Sequence, residues 1–258
     1  MSLGLTALLP GIGMMLVAVA AVWYWRRASR TRFRWFWLGA GLWTVAVLAK
    51  VVIALFTNPP VIGFLKDRLA HWSFVVAGGL YLGIQSSLCE IGLTWLAGLR
   101  WKQIGRDAGR AIAVGVGAGA FEAFLLGLAA LAGVLAALAG IPGTEAVREE
   151  IQKAATTTPL YWLLGPVERI TAIICHAASR ALVLLGARYR RGGMVALGFL
   201  IFTLLDASAG GAILSGLMGS VSMWWFELAF AVFAIVSLPL LRWCRERYPD
   251  VSEDSVAE

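Results

Sequence analysis

Acidic, basic and imidazole side chains lie inside long apolar runs of this 258-residue chain. Carboxylates and imidazole are the groups that proteins use as general acids, as general bases and as metal ligands. An unpaired charge near the centre of a bilayer costs about 2.5–3.5 kcal/mol on insertion scales, so these side chains must face one another, a water-filled cavity or a partner. They are Lys50, Glu90, Glu122, Glu168, Arg169, His176, Arg180, Asp206 and Glu227.

Four of these residues are expected at one depth. Each is separated by roughly ten to thirteen residues from a basic loop, and a helix rises about 1.5 Å per residue, which places all four near mid-membrane. We therefore predict a cavity between helices, lined by these four candidate catalytic residues. They are Glu90, Glu122, His176 and Asp206.

A second, self-neutralising layer is expected nearer the opposite surface. On the fifth apolar run, Arg169, His176 and Arg180 are spaced by seven and four residues, so they share one helix face. Glu168 lies at the edge of that face. We expect Glu168, Arg169 and Arg180 to support the cavity. The second layer comprises Lys50, Glu168, Arg169 and Glu227.

The glycines that precede Glu122 have two interpretations. Gly115, Gly117 and Gly119 alternate with apolar residues on the fourth run. Small residues let membrane helices pack closely, and they also leave room for water near a buried carboxylate. Helix packing is the interpretation that we favour.

The elements that must position these groups are membrane-spanning helices. The chain is 60% hydrophobic and only 14% charged, whereas a soluble domain carries about 25% charged residues. This composition excludes a soluble globular protein. A span needs about 20 mostly apolar residues, and seven windows satisfy this, so the predicted fold is an all-α polytopic bundle. The windows are residues 3–25, 35–56, 72–99, 111–140, 160–187, 193–218 and 222–243.

Loop charges predict the orientation of the bundle. Fifteen Lys and Arg residues lie in alternate connections, and the opposite connections hold four. Because positive loops stay cytoplasmic, we expect the N-terminus outside and the C-terminus inside a bacterial-type cytoplasmic membrane. The net charge of +7 then reflects contact with lipid headgroups, and no nucleic-acid partner is expected. We predict one transmembrane domain over residues 1–247, an interfacial helix within 141–158 and a disordered acidic tail at 248–258.

Four motifs carry a resemblance to a known family. They are C-E-I-G-L at residues 89–93, G-A-G-A-F-E at 117–122, E-R-I-T-A-I-I-C-H at 168–176 and F-T-L-L-D at 202–206. Their order resembles the YhfC-like membrane peptidases, which are distant relatives of the CAAX-protease and bacteriocin-processing (CPBP) group. The chain departs from the family pattern at Cys89, Leu93, Ala118 and Phe202, so that of three expected histidines only His176 remains.

The resemblance implies an intramembrane peptidase that cleaves a membrane-anchored peptide or a small membrane protein. A metal-dependent route would use zinc held by His176, Glu122 and Asp206, with Glu90 as a further candidate ligand, although a site with one histidine suits zinc less well. A metal-free route would use Glu122 as the general base to a water molecule, and His176 either as the proton donor to the leaving amine or as a group that stabilises the oxyanion.

Two other functions are open at this point. In a degenerate relative, the buried groups would form a satisfied polar network, and the protein would be a membrane scaffold or a subunit that binds another membrane protein. Alternatively, Asp, Glu and His side chains at mid-membrane would form a proton or solute pathway.

Overall fold

A computed structural model describes residues 5–218 and 220–250 of the chain. Eight α-helices follow one another, and short 3-10 turns precede α1 and α6 at Leu5–Leu8 and Tyr161–Leu163. Most of the predicted acidic tail, residues 251–258, lies outside the described residues. The helices are α1 (Leu9–Ser29), α2 (Phe33–Arg68), α3 (His71–Arg100), α4 (Ala108–Leu138), α5 (Glu145–Thr157), α6 (Leu164–Tyr189), α7 (Gly192–Leu214) and α8 (Trp224–Arg247).

Seven of these helices, all except α5, are long and apolar enough to cross a membrane. The predicted all-α, seven-span bundle is therefore confirmed. The basic connections share one end of the bundle, which we call the basic end, and the opposite end carries α5. The helix α5 lies within the segment 141–158 that was expected to be interfacial, and none of its residues is fully buried.

The helix α2 extends beyond its predicted span. The apolar window ends at residue 56, before Thr57, Asn58 and two prolines, but the helix continues to Arg68. A proline inside a helix removes one backbone hydrogen bond, whereas Thr57 adds a bond to α3 by accepting from the Tyr81 hydroxyl at 2.9 Å. At about 1.5 Å per residue, α2 is longer than the bilayer core is thick, so it projects at the α5 end.

The helix α6 occupies the centre of the bundle. Its most apolar window is 83% buried, compared with 17–50% for the other spans. It packs against α4, α7, α8, α3 and α1. Since a charge in lipid is costly, this is the span on which polar side chains are best protected.

Glycines set the distance between α4 and its neighbours. A Cβ on Gly115 would lie 2.6 Å from the Ala177 Cα of α6, and a Cβ on Gly119 would lie 3.0 Å from the His176 Cβ. A Cβ on Gly117 would meet the Phe36 backbone oxygen of α2 at 2.1 Å. The three glycines therefore allow backbones to touch on two faces of α4, which agrees with the packing interpretation.

An apolar layer lies below the ionisable residues, toward the basic end. Ile91, Val183 and Phe202 are at most 1% exposed and form a cluster between α3, α6 and α7. The backbones of α3 and α7 approach closely, because a Cβ on Gly83 would lie 2.3 Å from the Thr203 carbonyl oxygen. These apolar side chains lie between the ionisable residues and the basic end of α3, α6 and α7.

Candidate functional site

Glu122 and His176 are in direct contact at the α4–α6 interface. The His176 Nε2 atom lies 3.1 Å from Glu122 Oε2. The Arg169 guanidinium donates to Glu122 Oε1 at 2.8 Å, and the Trp43 indole N–H donates to Oε2 at 3.1 Å. The Glu122 carboxylate thus accepts from three side chains on two helices, Trp43 of α2 and both Arg169 and His176 of α6.

Glu90 is the centre of a second cluster, one helix away. Lys50 Nζ lies 2.6 Å from Glu90 Oε1, and Arg180 Nη2 lies 3.0 Å from Oε2. The Ser86 hydroxyl oxygen, one turn earlier on α3, lies 3.3 Å from the same carboxylate. Glu90 and Arg180 are 2% and 1% exposed, so both charges depend on these partners.

Two side chains join the clusters into one network. Arg180 Nη1 lies 2.8 Å from His176 Nδ1, which links the Glu90 cluster to the Glu122 cluster. Ser86 is hydrogen-bonded to Asp206 on α7 and accepts from Lys50 Nζ at 3.0 Å. The structure therefore brings together all four residues that the sequence placed at one depth.

The second layer does not neutralise itself as predicted. Lys50 and Arg169 were assigned to a separate, self-neutralising layer, but they pair with Glu90 and Glu122. The pairing crosses layers because long basic side chains extend along the helix surface. Glu168 contacts Arg169. Glu227 is buried on α8, and its Oε2 has no hydrogen-bond partner among the described residues.

A cavity of about 390 Å³ adjoins the network. Its polar walls include both groups of the Glu122–His176 contact, whereas Glu90 and Arg180 do not line it. Asn58, Gln85 and Phe230 extend the walls toward the α5 end. Its volume falls within the range of small-molecule and cofactor sites. The ionisable side chains that line it are Lys50, Glu122, Glu168, Arg169, His176 and Asp206.

Two polar partners in the network were not predicted. Trp43 lies in the middle of its apolar window, whereas most of the other tryptophans lie near span ends, and that position was an available signal. Ser86 precedes Glu90 by four residues, a spacing that places both on one face of α3. His71 begins α3 at the α5 end, where its ring packs edge-on against Trp72.

Three side chains lie close enough together to hold a metal ion, but their hydrogen bonds do not suit one. One ligand atom from each of Glu90, Glu122 and His176 lies within 4.8 Å of the others. Asp206, which was expected in the set, is not in this group. The hydrogen bonds do not fit a metal, because both carboxylates already contact buried cations and His176 Nδ1 faces the donor Arg180.

Comparison with known families identifies the chain. Residues 13–228 match the family described as YhfC intramembrane metalloprotease. The chain belongs to this family. No curated protein and no solved structure matches the chain. The membership of the YhfC family and the buried cluster of two glutamates and one histidine fit an intramembrane peptidase in a multi-pass membrane protein.

Proposed function

We propose that this protein hydrolyses a peptide bond of a membrane-anchored peptide or small membrane protein inside the cavity. The observation that carries the proposal is the Glu122–His176 contact, 3.1 Å long, on the wall of that cavity. The Glu122 side chain is 22% exposed, so a water molecule has access to it. A carboxylate beside a water-accessible cavity is the arrangement that general-base hydrolysis requires.

Glu122 acts as the general base in this proposal. A carboxylate has about four acceptor sites, and Arg169, His176 and Trp43 use three of them, which leaves one for water. As the water oxygen bonds to the scissile carbonyl carbon, its proton moves to Glu122. The carboxyl group then gives this proton to the leaving nitrogen as the C–N bond breaks. His176 and Arg169 hold the carboxylate in place.

Lys50 stabilises the negative charge that develops on the carbonyl oxygen. Its ammonium group has three N–H donors, and two of them contact Glu90 and Ser86. The side chain lines the cavity and is 27% exposed. A donor aimed at the developing oxyanion is commonly the largest single contribution to such catalysis. Asp206, which also lines the cavity, positions Lys50 through Ser86.

The membrane supplies the substrate in this proposal. An extended segment fits a cavity of about 390 Å³, whereas an intact helix with side chains is about 10–12 Å wide. The substrate must therefore unwind locally before cleavage. The charge asymmetry of the loops supports a bacterial-type cytoplasmic membrane, an external N-terminus and contacts with anionic lipids at the basic end.

The test compares cells that express the wild-type chain with cells that express Glu122→Gln. The variant keeps the shape of the side chain but removes the base. We expect membrane peptides cleaved by the wild type to accumulate uncut, as measured by quantitative mass spectrometry of new N-termini. Glu246→Gln, on an exposed surface of α8, is the matched control. Identical N-termini in the wild type and Glu122→Gln would reject the peptidase.

A scaffold that binds another membrane protein is the second candidate. It is favoured by Glu90 and Arg180, which are buried, paired and absent from the cavity wall. Such networks can act only in specifying helix packing. In that case Glu122→Gln would leave both partner association and phenotype intact. A through-membrane relay has less support, because the apolar cluster of Ile91, Val183 and Phe202 lies on the basic side of the polar network.

A further inference from the structure

We propose that the buried cations of this chain take the place of a metal ion, and that Arg180 keeps His176 in a form that cannot bind one. The proposal concerns metal binding, so it does not depend on the peptidase function. It rests on the directions of the hydrogen bonds around His176 and on the partners of Glu90 and Glu122.

The Arg180 contact decides which nitrogen of His176 carries the proton. A guanidinium has N–H donors and no acceptor, and Arg180 Nη1 lies 2.8 Å from His176 Nδ1. Nδ1 must therefore accept through its lone pair. In a neutral imidazole the proton is then on Nε2, which donates it to Glu122 Oε2 at 3.1 Å. Neither nitrogen has a lone pair free for a metal.

A metal-binding histidine needs the opposite arrangement. When Nε2 binds a metal, Nδ1 carries the proton, and it almost always donates to a carboxylate, a carbonyl oxygen or water. In this chain such an N–H would point at the Arg180 guanidinium. Two donors would then face each other in a buried position, since Arg180 is 1% exposed and His176 is 3% exposed. Arg180 would have to leave before His176 could bind a metal.

The two carboxylates of the group are also occupied. Glu90 contacts Lys50 through one oxygen and Arg180 through the other. Glu122 contacts Arg169. Three positive charges thus lie against the two carboxylates that would hold a divalent cation, and they would repel it. The three side chains already provide the positive charge that a metal would supply.

Metal content and the histidine tautomer test the proposal on the full-length protein in detergent or nanodiscs. We expect much less than one zinc per chain by elemental mass spectrometry, and thermal unfolding that is unchanged by a chelator or by added zinc. Nitrogen-15 shifts of labelled histidine should show an unprotonated Nδ1. The chain has two histidines, so His71→Gln leaves only the two ring-nitrogen signals of His176. About one zinc per chain, removed by a chelator and lost in His176→Ala, would overturn the proposal.

Arg180→Gln tests the role of Arg180 itself. The substitution frees Glu90 Oε2 and His176 Nδ1 together, removes one charge, and offers an amide oxygen that can accept from Nδ1–H. We expect the variant to bind zinc at least ten-fold more tightly than the wild type, as measured by titration and metal content. Arg242→Gln, at an exposed position of α8, is the matched control. A folded Arg180→Gln variant without added zinc affinity would contradict the role of Arg180.

These outcomes are separable from those of the peptidase test. If wild-type and Glu122→Gln cells contain the same new N-termini and the wild-type protein contains no zinc, the peptidase is rejected and the inference about metal binding stands. If cleavage depends on Glu122 and the wild-type protein contains about one zinc per chain, the peptidase stands and the inference about metal binding is rejected. If Arg180→Gln does not fold, the metal content and tautomer of the wild type still decide the proposal.

Discussion

The two halves of α6 differ in chemistry although they belong to one helix at the centre of the bundle. From Glu168 to Arg180 the helix carries one glutamate, two arginines and one histidine, each paired with a residue of α3 or α4 or with a neighbour on α6. From Ala181 to Gly186 every residue is buried, and Leu182, Leu184 and Leu185 belong to the main apolar core. The N-terminal part of α6 therefore belongs to the polar site, and its C-terminal part belongs to the apolar core.

This difference shows how the bundle can hold charges in the membrane. The apolar half packs without water, so its contribution depends on volume and close contact. The polar half depends on partners, because each buried charge is tolerated only while its counterpart is present. Substitutions in the two halves should consequently destabilise the protein for different reasons, which melting temperatures and histidine nitrogen-15 signals can distinguish.

Removal of a buried charge should have the largest effect. Arg180→Leu leaves Glu90 with Lys50 but without its second cation, and it removes the donor to His176 Nδ1. Breaking a buried pair by removing one partner costs about 3–5 kcal/mol, so we expect low yield and a strongly reduced melting temperature in detergent. Arg242→Leu, whose side chain is exposed, should leave the melting temperature unchanged.

Truncation in the apolar half should cost somewhat less. Leu184 is fully buried, and Leu→Ala substitutions in cores cost about 2–5 kcal/mol through lost contacts and a residual cavity. Leu184→Ala should lower the melting temperature without changing the histidine tautomer in nitrogen-15 spectra. A change of tautomer in this variant would mean that the two halves are coupled.

A methyl group at the α4–α6 contact should disturb the polar half through packing. The Cβ of Gly119→Ala would lie 3.0 Å from His176 Cβ and 3.0 Å from Ile173 Cα. Overpacking costs about 1–3 kcal/mol, which the higher helix propensity of alanine partly offsets. We expect weaker thermal stability together with a shifted His176 signal. Gly41→Ala meets nothing within 4 Å and should be neutral or stabilising.

The smallest effect concerns Asp107, a buried carboxylate outside the spans, at the N-cap of α4. Burial raises the pKa of Asp107 above its usual value, although Arg110 opposes this. Because the folded pKa is the higher one, the contribution of this group to stability is complete below the unfolded pKa, about 3.9, and is lost as the pH rises through the folded pKa. Asp107→Asn keeps the cap. Above pH 4, the free energy of unfolding of this variant should fall less with rising pH than that of the wild type, by a fraction of a kcal/mol. Equal profiles would show that burial of Asp107 has no such effect.

Hydropathy predicted the spans well, because length and apolar composition are properties of each segment alone. It ended α2 too early, since the contacts of Thr57 and Asn58 with Tyr81 on α3 cannot be read from one segment. Depth along the helices was also sufficient to bring Glu122 and His176 to one level. The partners of Lys50 and Arg169 were missed because pairing depends on the rotation of each helix and on the reach of each side chain. The sequence pattern constrains neither.

Residues 248–250, which follow α8, pack against the start of α4. The Tyr248 carbonyl oxygen accepts from the Ala108 N–H at 2.9 Å, and a Cβ on Gly109 would lie 2.7 Å from Asp250 Oδ1. A purification tag or a fluorescent reporter attached directly after residue 247 would therefore remove these contacts with α4, the helix that bears Glu122. Fusion partners belong beyond residue 258, behind a spacer, or the preparation itself will loosen the part of the molecule under study.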